Sequence, residues 1–118
     1  MNDTRARHIV GAERARLESM LAGVTGDIRA DGRAQSQQTG EYSEAGTTVE
    51  SETVSLTLAA DLRNQLAGVA RAEQRIEVGS YGRSVESGSP IPDERLEVEP
   101  LAERTVEEQR SFEEARTH

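Results

Sequence analysis

Two stretches of this chain carry apolar residues at helical spacing, and a polar stretch separates them. From about Thr4 to Val24, Val10, Leu17, Met20, Leu21 and Val24 recur at near-heptad intervals with Ile9 beside them, which predicts an amphipathic helix. Asp3 or Thr4 can cap its start; Gly11 weakens its interior, and Gly23 and Gly26 mark its end. From about residue 25 to residue 48 the stripe disappears. Gln35-Ser36-Gln37-Gln38-Thr39-Gly40 has no apolar anchor, so this stretch reads as a flexible connector, with a short helical extension from Ile28 to Ala34 as the alternative.

The second helical pattern is clearer and runs from about Val49 to Val78. Val54, Leu58, Leu62, Leu66, Val69 and Ile76 form its stripe, and Ala59, Ala70 and Ala72 permit close approach of a neighbour. No proline interrupts it, Gly68 is its weak point, and Gly79 stands where a left-handed cap is expected. At ~1.5 Å per residue this helix is about 45 Å long. Its apolar face needs a partner, either the first helix in an antiparallel hairpin or another chain.

Beyond Gly79 the character changes. Gly79 to Gly88 is rich in turn residues, and Pro90 and Pro92 impose an extended link. Pro92 suits the first turn of a short helical segment through Leu96, and Pro100 that of a last helix from Leu101 to about Ala115. Glu103, Glu107 and Glu108 favour the early end of that helix and Arg116 the late end. The expected fold is therefore mainly all-α, with a helical hairpin in residues 1–78 and a compact C-terminal region in residues 79–118.

Composition narrows the picture. At 118 residues the chain is one small protein, and Leu, Ile, Val and Phe make up only 22 of them, just below the ~20% at which disorder becomes a serious expectation. A hairpin tolerates so thin a core because each helix buries one stripe. There is no cysteine, hence no disulfide framework. No apolar run approaches a membrane span, and Met1-Asn2-Asp3-Thr4-Arg5 has no apolar signal region, so a cytoplasmic protein is expected. The net charge of −8 opposes direct binding to a phosphate backbone. Arg5, Arg7, Arg14 and Arg16 are interleaved with Glu13 and Glu18, the arrangement of a solvated helix face.

The most specific motif lies after the long helix. Tyr81-Gly82-Arg83-Ser84-Val85-Glu86-Ser87-Gly88 is followed by Pro90-Ile91-Pro92-Asp93-Glu94-Arg95-Leu96-Glu97 and then Pro100. This order resembles the finger of the DksA/TraR family of bacterial transcription regulators, in which a Tyr-Gly-x-Cys-x-x-Cys-Gly turn leads into Pro-Ile-Pro-x-x-Arg-Leu-Glu and a second Cys-x-x-Cys. The ligand positions of that finger read Ser84, Ser87, Thr105 and Glu108 here, with 17 residues between the two pairs, a zinc-ribbon spacing. Three hydroxyls and one carboxylate are a poor zinc set, and His8 and His118 sit at the chain ends. The substitutions predict that the metal is gone and that packing by Tyr81, Ile91, Leu96, Val98, Leu101 and Val106, with hydroxyl-to-backbone hydrogen bonds, replaces it.

The resemblance implies more. In the family the helical hairpin enters the secondary channel of RNA polymerase, and an acidic tip, Asp-x-x-Asp-x-Ala, approaches the catalytic centre. Counting back from Ser84 without gaps places Glu41, Glu44 and Gly46 at the three tip positions. Val54, Leu58, Leu62, Leu66 and Val69 would form the hairpin seam. No arginine constellation marks a site for the alarmone nucleotide that some members use, and no cofactor is expected.

Enzymatic motifs are missing from the sequence. There is no cysteine nucleophile, Gly-x-Ser-x-Gly elbow, phosphate loop or His-x-x-x-His pair, and Glu107-Glu108 and Glu113-Glu114 read as exposed helix acids. Tyr42 and Tyr81 are too few for a base-stacking platform. Two functions fit: a zinc-less transcription regulator with RNA polymerase as partner, or a structural or adaptor protein acting through self-association or another protein helix.

Overall fold

A computed structural model describes the backbone of residues 1–37 and 45–117, and the side chains of residues 1–26 and 52–116. Its elements among these residues are α1 (Asp3–Gln37), α2 (Ala45–Val78), α3 (Asp93–Val98) and α4 (Val106–Thr117). The fold is all-α, and no helix of the described residues is long and apolar enough to cross a membrane.

The helices are longer than the apolar stripes. Residues 25–37 continue α1 and residues 45–48 begin α2, where a connector was expected. The stripe ends near Val24, but Arg29, Ala30, Arg33, Ala34 and Gln35 are good helix formers and no proline intervenes, so the helical backbone can continue past it.

Contacts group the chain into two compact units, one of Met1–Glu13 with Gly68–His118 and one of Arg14–Ala67. The first therefore takes in the beginning of α1 and the end of α2, whereas a division at 78/79 follows the sequence elements. Within it those two segments run antiparallel, with Arg7 Nη1 3.1 Å from Glu77 Oε1. Ala6, Ile9, Val10, Val69, Ala72, Ile76, Ile91 and Leu96 are its buried apolar residues.

The second unit is sparser. Leu17, Ala59 and Leu62 are fully buried, Leu21, Val24 and Leu66 are half-buried, and Glu52 and Ser55 are half-buried on α2. Positions 52, 55, 59, 62 and 66 alternate steps of three and four, the spacing of a heptad seam. This corrects the expected seam: Leu62 and Leu66 lie in it, but Val54 is 67% exposed and Leu58 41%. Each stands about one residue, or roughly 100° of helix turn, from a seam position held by Ser55 or Ala59. Small side chains there let the helix axes approach, and the larger residues fall outside. Met20 of α1 is likewise exposed. Val69, the last expected seam residue, is buried in the first unit.

The C-terminal elements also shift. The last helix starts at Val106 instead of Leu101, because Thr105 and Glu108 cap it there. Pro92 precedes α3 instead of opening it. Ile91 and Leu96 are buried as expected, while Val98 and Val106 are exposed.

Candidate functional site

The finger-like segment is built on the end of α2. The Gly79 amide donates to the Ile76 carbonyl at 3.2 Å and the Ser80 amide to the Arg75 carbonyl at 2.8 Å, the paired bonds of a Schellman cap. Gly79 has φ +80°, a conformation that costs glycine nothing. The cap delivers Tyr81 and Gly82 to the floor of the segment. There the Tyr81 hydroxyl donates to the Pro100 carbonyl at 2.7 Å. Burial pushes its pKa up to about 12, with Glu97 adding to the effect and Arg75 opposing it. A Cβ on Gly82 would lie 3.5 Å from Leu96 Cδ1, and φ there is +86°.

The next residues form a narrow turn. Arg83 and Pro90 pair in an antiparallel bridge, the Ile91 amide donates to the Gly82 carbonyl at 2.7 Å, and the Ser84 amide donates to the Ser89 carbonyl at 2.8 Å. Inside the turn Ser84 is 5% exposed. Its Oγ accepts from the Glu86 amide at 3.1 Å and from the Ser87 amide at 3.3 Å. Ser87 Oγ accepts from the Ser89 amide at 3.2 Å.

The other two positions of the frame open α4. The Thr105 amide donates to Glu108 Oε1 at 3.0 Å, and the Glu108 amide donates to Thr105 Oγ1 at 3.2 Å. This reciprocal pair is a capping box. The Ser87 hydroxyl, the Thr105 amide and the Ser84 hydroxyl, in that order, hold the Glu108 carboxyl down at about 2. Ser84 and Ser87 thus share one turn, Thr105 and Glu108 cap α4, and Ser87, Thr105 and Glu108 line one cavity.

A second polar cluster was not foreseen from the sequence. Glu103 accepts from Arg71 Nε and Nη2 at 3.2 and 3.1 Å and from Arg75 Nη1 at 3.1 Å. Burial pushes its carboxyl up, but the Arg71 hydrogen bonds and the charges of Arg71, Arg75 and Arg104 outweigh it, and the group lies below its ordinary value. The Glu103 carbonyl accepts from the Val85 amide at 2.9 Å. One residue therefore ties α2, the turn and the approach to α4 together. Arg75 Nη2 is buried without a hydrogen-bond partner. The i,i+4 spacing of Arg71 and Arg75 was the available signal, but nothing local in the sequence pointed to Glu103 as their acceptor. Arg104, bound to Glu86 at 2.9 Å, stacks 3.9 Å from the Phe112 ring centroid, which docks α4 through a cation–π contact.

On the solvated face of α1, Arg5, Arg7 and Arg14 pair with carboxylates of the protein itself. Arg5 forms a two-pronged pair with Glu97, one bond being 2.8 Å; Arg7 binds Asp3 and Glu77; Arg14 binds Glu18. Of the tip positions, Glu41 and Glu44 lie outside the described residues, and Gly46 falls in the first turn of α2. Among the described residues no group of three or more His, Cys, Asp or Glu side chains could hold a metal ion.

No protein-family model and no curated protein sequence matches the chain. Among solved structures it is similar to transcription factor DksA2 from Pseudomonas aeruginosa, with a TM-score of 0.82 and 22% identity over 98% of this chain and 86% of that one. The two share polypeptide architecture across nearly the whole length while differing at most positions. The chain is DksA-like in fold, and its finger-like segment carries that fold with hydroxyls and a carboxylate at the four ligand positions.

Proposed function

We propose that the protein is a DksA-like transcription regulator that binds RNA polymerase in the cytoplasm by inserting its helical hairpin into the secondary channel, and that it works without zinc. The observation that carries this reading is the DksA2-like fold over 98% of the chain; in sequence, Glu41 and Glu44 fall between its two long helices. With a net charge of −8 the chain suits a basic protein channel better than DNA. Glu41 and Glu44 act at the tip with Gly46, and the polymerase supplies the catalytic centre, so the chain itself is not an enzyme. The test is Glu41→Ala with Glu44→Ala in reconstituted transcription. Output should change while helix content and melting temperature stay those of the parent chain. Unchanged output removes the tip assignment.

A second reading draws on the exposure of Val54, Leu56 and Leu58. Apolar side chains on a helix surface favour a protein partner or self-association. Sedimentation separates the two readings, since a stable oligomer that covers α2 could not thread a channel and a monomer could.

A further inference from the structure

The four frame positions are committed within their own elements. Ser84 and Ser87 accept from backbone amides of their turn, and Thr105 and Glu108 cap α4. Zinc would have to displace those amides, and structural zinc takes thiolates or imidazoles. The four residues do not fit it. A bond that reaches from the turn to α2 by way of a single residue lies beside the frame, at Glu103.

Glu103 is held at both ends. Its carboxylate accepts from Arg71 Nε and Nη2 at 3.2 and 3.1 Å and from Arg75 Nη1 at 3.1 Å. Its carbonyl accepts from the Val85 amide at 2.9 Å. Seating the carboxylate on α2 fixes the backbone that presents the carbonyl to the turn, so the two contacts form and break together. The closed arrangement also carries a cost. Arg75 Nη2 is buried without a hydrogen-bond partner, and an unmet buried donor offsets part of what the ion pair gains. Opening hydrates that nitrogen. Water reaches the outer half of the cluster, where Arg71 is 56% exposed. We propose that Glu103 is a latch poised to open: its carboxylate leaves Arg71 and Arg75, its carbonyl releases Val85 of the turn, and the packing around Ile91 and Leu96 stays closed. A change at Arg75 in α2 thereby reaches the turn ten residues further on. Arg104, the next residue, binds Glu86 and accepts from Arg95 Nε through its carbonyl. These contacts keep the chain beside the turn when the latch is open. The inference stands whether or not the chain binds RNA polymerase.

The test is residue-resolved amide hydrogen exchange on the full chain. The reporter is the Val85 amide. The controls are the Ile91 and Leu96 amides, which donate to the Gly82 and Pro92 carbonyls. In the parent chain, Val85 should exchange through a smaller opening than Leu96, with a weaker dependence on urea. Glu103→Gln and Arg75→Gln should each accelerate Val85 about tenfold or more and leave Ile91 and Leu96 near their parent rates. In the double variant the accelerations should fall short of multiplying. Arg71→Gln, on the exposed half, should have the smallest effect on Val85. An unchanged Val85 rate in Glu103→Gln and Arg75→Gln would show that the Arg104–Glu86 pair holds the turn by itself and would overturn the proposal. Equal acceleration of Val85, Ile91 and Leu96 would also overturn it, since the variants would then only lower global stability. The parent measurement needs no variant to fold: an identical urea dependence for Val85 and Leu96 would mean that no separate latch opens.

Discussion

In the unit of Met1–Glu13 and Gly68–His118, buried apolar residues are backed by polar ties between segments distant in sequence: Glu103 with Arg71 and Arg75, Tyr81 with Pro100, and Arg104 with Glu86. In the unit of Arg14–Ala67, Arg14 pairs with Glu18 and Gln65 with Asp61, each four residues apart on one helix. Its seam rests on Leu17, Ala59 and Leu62, with Ser55 and Glu52 where larger apolar residues would fit. Both units come from a chain poor in large apolar residues. One is specified by directional bonds at defined positions. The other is specified by helix geometry and a narrow seam, which leaves Val54, Leu56 and Leu58 on its surface. Directional bonds suit a segment of tight turns, and a narrow seam suits two long helices that need only stay paired.

The largest effects should come from the apolar centres of the two units. Leu96→Ala and Leu62→Ala each remove a fully buried side chain and should cost about 2–5 kcal/mol in urea unfolding. Leu58→Ala, four residues from Leu62 but exposed, should cost less than about 0.5 kcal/mol. Equal costs for Leu58 and Leu62 would restore the seam read from the sequence.

Glu103→Gln leaves Arg75, only 12% exposed, without its charged partner. It should cost about 1–3 kcal/mol, with the exposed Arg71 contributing little of that. A neutral result would show that the polar ties of this unit are ornamental and that Leu96 and its apolar neighbours suffice.

Acid should act on the same unit. Glu103 and Glu108 have folded pKa values below the ordinary 4.5, so the unfolded chain takes up their protons first as pH falls. Their contribution is complete above about 4.5 and is lost as pH falls through the folded values, for Glu108 at about 2. Melting temperature should therefore decline from pH 5 towards about 2, and Glu103→Gln should flatten that decline. An unchanged slope in the variant would detach Glu103 from the acid sensitivity. Among the variants that remove a polar tie, the smallest effect is expected for Tyr81→Phe. It removes the 2.7 Å bond to the Pro100 carbonyl and should cost about 1 kcal/mol, seen as a small loss of melting temperature.

Much of this was legible in the sequence. Gly79 was read as a left-handed cap and closes α2 with both Schellman bonds. Ile91 and Leu96 were read as packing residues and are buried. The resemblance to the DksA/TraR finger singled out four positions, of which Ser84 and Ser87 share one turn and Thr105 and Glu108 cap α4. The seam was misread because large apolar residues were weighted over position: Val54 and Leu58 are conspicuous in sequence, while Ser55 and Ala59 occupy the inward register. Helix length was underestimated because an apolar stripe reports burial, whereas backbone helix extends beyond the stripe through residues 25–37. Glu103 went unnoticed because its partners, Arg71 and Arg75, are about 30 residues away, and pairing at that range is a property of the fold. Thr105-x-x-Glu108 is itself a capping-box pattern, and it could have placed the start of α4.

The most direct test of the functional account is binding of the purified chain to RNA polymerase core and holoenzyme, with a secondary-channel ligand as competitor. The account predicts saturable binding that the competitor abolishes and that persists in EDTA. Absence of binding at tens of micromolar, or binding indifferent to the competitor, would contradict it and leave the chain with the fold of DksA2 and a different partner.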